Sequence, residues 1–484
     1  MKLERRLESF GAEKIFVALF LFFGAIICFM RPPYQLMDEI NHLPRVWQIS
    51  QGIFFSPTME LGEFINGDHR SKKIFTFPNL PADVQSNRVN VAEMPTSLLP
   101  DDFITDANRK HYVHAFDAAD VKNFLATPLN PEDCDVVLIP NTGVYLPPAY
   151  FPQAFAAWLG RLLNLTAGEI FYAMGLSGLM FAAACLWLAM KFLPEAKTLI
   201  FVLAMTPMFL LEAASTSADC VTFGVCLAAT AWLLSLRLST EKFSRAEIFA
   251  LIILSAMIAC CKSVYGTILL LYFLIPPERV GSLKKFLLTG AALVAVNLLV
   301  SIVWTELAVN AAGVELYTNR YLGYMTTDAA AQKVFVAEHP EKFFAAMANS
   351  LEYMWSWYLS NFIGSWGFLW NVSLPPMFYL LYTMTLLAFA VTCGVRVRPV
   401  ERLVLLTAAL VSTTAFFLVH YLKWSAVGGD VVNGVQGRYF VPLGLMIFVA
   451  LSTFKPMPYK NSIALVAGTV SGCVMLAANF YAFY

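Results

Sequence analysis

The sequence predicts an all-α, polytopic membrane protein with about eleven transmembrane helices and two long loops on one side. Three observations predict it. The chain is 58% hydrophobic and only 14% charged over 484 residues, where a soluble globular chain is about 45–50% apolar and about 25% charged. Its mean hydropathy is +0.63. Its apolar residues also fall in repeated runs near the ~20 residues that a helix needs to cross a ~30 Å hydrocarbon core.

The elements follow in chain order. Met1–Lys14 (MKLERRLESFGAEK) is a basic amphipathic lead into the apolar run Ile15–Met30. A cleaved signal peptide ends in small residues. Cys28-Phe29-Met30-Arg31-Pro32-Pro33 does not, so 15–31 reads as an uncleaved first span. Further spans are expected at 168–191, 198–214, 219–237, 246–261, 264–277, 286–306, 374–394, 402–421, 438–454 and 461–482. The chain thus divides into 1–31 (N-terminus and first span), 32–167 (first long loop), 168–306 (spans two to seven), 307–373 (second long loop) and 374–484 (spans eight to eleven).

Basic residues assign the sides, because cytoplasmic loops carry the excess of Lys and Arg. With the N-terminus inside, the inner segments hold Lys2, Arg5, Arg6 and Lys14, then Lys191 and Lys197, then Arg237, Lys242 and Arg245. The pattern continues with Arg279, Lys284 and Lys285, with Arg396, Arg398 and Arg402, and with Lys455 and Lys460. The short outer turns carry only Lys262, Lys423 and Arg438. Both long loops and the C-terminus fall outside.

Loops this long are usually functional or folded. The first has two Pro-rich stretches, Phe77–Pro81 and Pro140–Pro152, and few strand signals. It reads as short helices lying on the membrane, joined by irregular chain. In the second, 340–362 (PEKFFAAMANSLEYMWSWYLSNF) has helical periodicity and many aromatics, which suits an interfacial or a re-entrant helix. A full span there would break the charge pattern. Eight of the nine Cys lie in or beside apolar runs, with Cys134 alone in a polar loop. No disulfide framework and no metal-ligand spacing results. Formal net charge is zero and no basic tract suits nucleic acid.

The chemistry-bearing residues gather at the outer rim, one from each of several separated segments. A transporter needs polar groups at mid-membrane, where they are costly. An enzyme acting on lipid-borne substrates gathers them at one face. Asp38, Glu39, His42 and Arg45 follow the first span. A carboxylate beside an acceptor hydroxyl serves as a general base. Pro44 places the start of the next helix near Asn41, which leaves Asp38 and Glu39 on its lead-in; the spacing fits a base and a dipole-capping acid pair equally. His42 fits a proton relay, a donor to Asp38 or a plain interfacial histidine, and no second His stands at zinc spacing. Gly434-Val435-Gln436-Gly437-Arg438 heads the tenth span. Glycines that admit close approach, free N–H groups and a guanidinium suit a phosphate or pyrophosphate; a tight turn with an anchoring Arg also explains them. Lys262 (in ACCKSVYG) is a second phosphate contact or a snorkelling lysine. Tyr145-Leu146-Pro147-Pro148-Ala149-Tyr150-Phe151-Pro152 offers aromatic faces to a sugar or to the lipid interface. Glu212, Asp219 and Arg161 complete the rim, with Glu212 and Arg161 read singly as anchors.

In one order along nearly the whole chain stand Asp38-Glu39-x-x-His42-x-x-Arg45, Tyr145-x-Pro147-x-x-Tyr150-x-Pro152, Thr206-Pro207-Met208, Ser215-x-Ser217-Ala218-Asp219, Lys262, Pro340-x-x-Phe343 and Gly434-Val435-Gln436-Gly437-Arg438-Tyr439-Phe440. The series resembles the DUF2142 family of bacterial and archaeal membrane proteins, within the GT-C superfamily of glycosyltransferases. The resemblance implies a GT-C-like fold with an outward active site. It also implies a polyprenyl-phosphate-linked sugar donor, a glycan or lipid acceptor and a base in the first outer loop. Asp38 or Glu39 then takes the place of the base. Arg438 and Lys262 would bind the donor phosphate, while His42, Arg45, Tyr145, Tyr150, Asp219, Gln436 and Tyr439 would support or bind substrate. No bound metal is expected from the spacing, though a divalent cation fits the carboxylates. The expected location is the cytoplasmic membrane of a prokaryote. A flippase of lipid-linked glycans and a non-catalytic envelope assembly protein are the rival classes.

Overall fold

The computed structural model describes residues 2–36, 38–74, 85–100, 118–314, 327–367, 372–453, 455 and 457–484. The Pro-rich stretch Phe77–Pro81 lies outside them. All eleven apolar runs form helical segments, but six are long and apolar enough to cross a membrane alone: Ala12–Met30, Ala167–Phe192, Asp219–Leu236, Leu283–Asn310, Pro399–Trp424 and Lys460–Phe483. The run 198–214 is a seventh only as a broken pair, bent by 82° between Pro194–Ala204 and Pro207–Ala213. Pro207 causes the break, since it cannot donate an intrahelical bond; Thr206 caps the new helix by accepting from Phe209 N.

The other four runs form shorter segments. Arg245–Cys261 has 17 residues and Pro376–Val391 has 16. The tenth run is Gly437–Ala450. Run 264–277 is a 12-residue 3₁₀ helix, Ser263–Leu274. At about 2.0 Å per residue such a helix reaches ~24 Å, where α geometry would give ~18 Å. Tyr265, Ile268, Leu271 and Leu274 are all buried, the spacing of three that this geometry stacks on one face.

Ion pairs fix the two ends of the bundle. At one end Glu4 accepts from Asn461 and Ser462, Lys191 pairs with Glu13, and the buried Arg237 pairs with Glu401. Arg279 donates to the Leu236 carbonyl there. The opposite end carries Arg31, Asp219, Lys262 and Arg438. At 1.5 Å per residue, the 18-residue Asp219–Leu236 helix separates the two ends by about 27 Å, close to the thickness of a hydrocarbon core.

The first loop contains more strand than its sequence suggests. Thr58–Glu60, Arg88–Pro95 and Cys134–Leu138 form a three-stranded antiparallel sheet, with Thr58 opposite Asn90 and Val91 opposite Leu138. The central strand is buried on both faces over Val89–Ala92, so it lacks the alternation that marks a half-exposed strand. The sheet anchors to the bundle through the helix Glu39–Ser50, whose Gln48 donates to the Val91 carbonyl. In the second loop, Pro340–Ile363 is one continuous 24-residue helix. Its Phe343 and Tyr358 pack on Tyr421 and Phe417 of the Pro399–Trp424 helix.

Candidate functional site

A cavity of about 530 Å³ opens at the Asp219 end of the bundle, lined by residues from the first loop and from several helical segments. Asp38, His42, Tyr145, Asp219, Lys262, Gln436, Arg438 and Tyr439 all line it. Glu39, Arg45 and Tyr150 stand behind this wall.

The first-loop helix begins at Glu39, with Asp38 as its N-cap residue in a left-handed conformation (φ 60°). The expected start near Asn41 is therefore two residues late, and Pro44 sits inside the helix. The early start has a local cause: the Asp38 carbonyl accepts from both Asn41 N and His42 N. The Asp38 side chain does not cap the helix; it reaches across to Arg438 Nη2. Glu39 points the other way. It is 1% exposed and paired with the equally buried Arg31, and it accepts from Tyr34 N and Thr216 Oγ1.

Arg438 is the hub. Its Nη1 lies 2.7 Å from Glu212, its Nη2 pairs with Asp38, and its Nε lies 3.6 Å from Asp219. Asp219 also accepts from Lys262 Nζ at 2.8 Å. Both cations lie over the Tyr439 ring, Lys262 at 4.6 Å and Arg438 at 5.7 Å from its centroid. Tyr439 is itself stacked on Phe416 at 5.4 Å. Side chains from five separated segments thus build one charge cluster, which burial would penalise were the charges unpaired.

His42 and Tyr150 form a second unit. The Tyr150 hydroxyl is 2.7 Å from His42 Nδ1. Burial holds the Tyr150 phenol well above its usual range, so the phenol keeps its proton in this hydrogen bond. Burial also pushes His42 down to about 4, which keeps it neutral at physiological pH. Arg45 is a strut: it donates to Gln48 and to the carbonyls of Phe54 and Tyr145. The Gln436 side-chain oxygen is buried without a partner, an acceptor left open at the cavity wall.

Both glycines of the GVQGRY segment are explained by packing. Gly434 has φ 80°. A Cβ on Gly437 would lie 1.9 Å from the Tyr358 carbonyl. The close approach that only glycine permits is made to the helix Pro340–Ile363 at this point.

Glu212 is the residue whose role the sequence understates. It looks like a single anchoring acid, yet it is 4% exposed and bonds Arg438. His420, Lys423, Trp304 and Trp424 also line the cavity. Among these, Lys423 shows as an outer-turn cation, while the others carry no spacing signal inside long apolar runs. Among the described residues, no group of three or more His, Cys, Asp or Glu converges as a metal-holding set.

No curated protein and no solved structure matches the chain. The model of one family, described as predicted membrane protein (DUF2142), matches residues 21–447. With that match covering most of its length, and with apolar helices long enough to cross a bilayer, the chain belongs to the DUF2142 family of membrane proteins.

Proposed function

We propose that the protein is an inverting glycosyltransferase of GT-C type, acting at the outer face of a prokaryotic cytoplasmic membrane. The donor would be a polyprenyl-phosphate-linked sugar and the acceptor a cell-envelope glycan or lipid. The observation that carries this reading is the pairing, in one cavity, of a part-exposed carboxylate with two cations: Asp38 is 27% exposed, and Arg438 and Lys262 line the same cavity. Its height, about 27 Å above the basic end of the bundle, matches the headgroup level where a lipid-borne phosphate lies. The excess of Lys and Arg at the opposite end supports an outer position for that level.

In this reading the acceptor hydroxyl attacks the anomeric carbon from the face opposite the phosphate. Asp38 takes the hydroxyl proton, a new carbon–oxygen bond forms, and the bond to the phosphate oxygen breaks with its electron pair on the leaving lipid phosphate. Arg438 and Lys262 stabilise that charge where it develops. Asp219 and Glu212 position the two cations. The neutral His42 and the open Gln436 acceptor bind sugar hydroxyls, and Tyr145, Tyr439, Trp304 and Trp424 supply aromatic faces. Tyr150 and Arg45 hold His42 and the loop. Glu39 is the weaker candidate for the base, because both of its oxygens are engaged with buried partners. A divalent cation remains compatible with the carboxylates as an added substrate-binding group.

One observation favours the flippase reading: discontinuous helices are common in transporters, and 198–214 is broken. Here, however, Thr198–Thr222 is buried throughout, so the break is packed in protein instead of lining a path. An envelope assembly role would leave the open Gln436 acceptor and the partly exposed Asp38 without use. Sugar transfer in membranes of a strain lacking the gene, complemented with wild type, Asp38→Asn, Glu39→Gln or Arg438→Ala, tests the proposal by mass analysis of envelope glycans. A sugar lost in the strain and in Asp38→Asn at equal protein level is the expected result. Unchanged glycans in the strain would sink it, and lipid-linked glycan crossing vesicles made with the protein would put the flippase ahead.

A further inference from the structure

Resting on the transferase reading, we propose that Asp38 occupies, in the free protein, the place on Arg438 that the donor's phosphate takes. The phosphate must then displace Asp38 before that carboxylate can act as a base. The three carboxylates around Arg438 are not equivalent. Glu212 and Asp219 are 4% and 2% exposed, whereas Asp38 is 27% exposed. Asp219 is tied down by Lys262, and Glu212 also faces Ser215 Oγ at 3.5 Å. Asp38 makes one ion pair, to Nη2, from a left-handed backbone position (φ 60°) that Asp tolerates better than most residues.

The fork of the guanidinium sets the geometry. Nη1 is bonded to Glu212, and Nε, which makes no hydrogen bond, lies 3.6 Å from Asp219; both of these acids are deeply buried. Nη2 is the donor held by the part-exposed acid, so a ligand entering from the cavity meets Asp38 on it. Charge points the same way. Asp38, Glu212 and Asp219 face Arg438 and Lys262, so the cluster already holds one more acid than base. Adding a phosphate without removing Asp38 would leave two uncompensated negative charges in a site of low dielectric, where repulsion is strong. Moving the part-exposed Asp38 carboxylate out toward solvent, as a singly charged phosphodiester takes Nη2, leaves the charge next to Arg438 unchanged. It also frees the carboxylate from the guanidinium, so that it can turn toward the acceptor hydroxyl. The exchange makes donor binding a precondition for activating the acceptor.

The test is binding of a long-chain isoprenyl monophosphate to the purified full-length protein in detergent micelles, read by intrinsic tryptophan fluorescence. Asp38→Asn and Asp38→Ser should each bind it about two- to fivefold more tightly than wild type, the scale of removing one partly exposed competing ion pair. Arg438→Ala should lose the binding. A second readout needs no variant: carbodiimide modification of Asp38 in the wild type, followed by mass spectrometry, should rise when the isoprenyl phosphate is added. If the wild type binds but the neutral variants bind equally or more weakly, or if Asp38 modification falls, the exchange is overturned and the transferase reading stands. If neither wild type nor variants bind, both fall together.

Discussion

Glu39 neutralises a fully buried Arg31, whereas Asp38 answers to a cavity. Glu39→Gln leaves the arginine charge unpaired in the interior, at a cost of about 3–5 kcal/mol. Thermal unfolding in detergent should show that loss, with yield falling before any chemistry is affected. Asp38→Asn should leave the melting temperature near wild type and, on the transferase reading, lower transfer by about 10²–10⁴-fold. His42 gives a pH signature. Its imidazole is held to about 4 by burial, against about 6.5 in the unfolded chain, so the unfolded state binds more protons between those values. The stability is therefore present in full above pH ~6.5 and is lost as pH falls toward 4, by up to ~3 kcal/mol. Equilibrium unfolding between pH 7 and 4.5 should show this slope in wild type, and His42→Gln should flatten it. Most of the charged residues that line the cavity are legible because charge is scarce in this chain and each cation or acid at a run's end stands out. Glu212 was visible but undervalued, since nothing in LLEAAS tells an anchor from a partner of a residue more than 200 positions away.

Helices were legible as elements, but their geometry was not. Hydropathy counts apolar residues and does not see the hydrogen-bond pattern, so a 3₁₀ helix and a bent pair both read as ordinary spans. The sheet escaped for a related reason: its strands lie about 30 and 40 residues apart, and the central one is buried on both faces. Packing and backbone conformation explain the two glycines of the GVQGRY segment better than ligand contact does. Gly437→Ala would drive a methyl group into the Tyr358 carbonyl, and the Pro340–Ile363 helix must move or unfold locally. A loss of about 1–3 kcal/mol or more is expected from such overpacking, read as a lower melting temperature together with lost activity. Gly434→Ala meets backbone strain of order 1–3 kcal/mol at φ 80°, and it should disturb the Gln436 and Arg438 wall without touching the Pro340–Ile363 contact.

At the scale of the molecule, one end is basic and braced by ion pairs and the other holds a cavity, a sheet and two long loops. The prediction for orientation follows from Cys134, which is exposed on the sheet at the cavity end. Its thiol is held above the usual range, by burial first and then by the nearby Glu93 and Asp133, so labelling should be slow at neutral pH and faster at pH ~9. A membrane-impermeant maleimide should label Cys134 in intact spheroplasts, and Cys134→Ser should abolish that signal. Labelling only after the membrane is opened would reverse the sides. The fold class was legible because bilayer thickness imposes a length on apolar runs. The number of crossings was not, since short runs such as Pro376–Val391 pass the hydropathy pattern without the length.

The segment Ser263–Leu274 acts as a ruler. Twelve residues in 3₁₀ form reach as far as about 16 in α form, and Lys262 stands at the end of that reach. The height of its ammonium group is therefore set by winding as well as by residue count. Rewinding the segment to α geometry would draw its two ends together by ~6 Å, more than twice the 2.8 Å between Lys262 Nζ and Asp219. Whether the lysine meets its partner is a property of helix pitch.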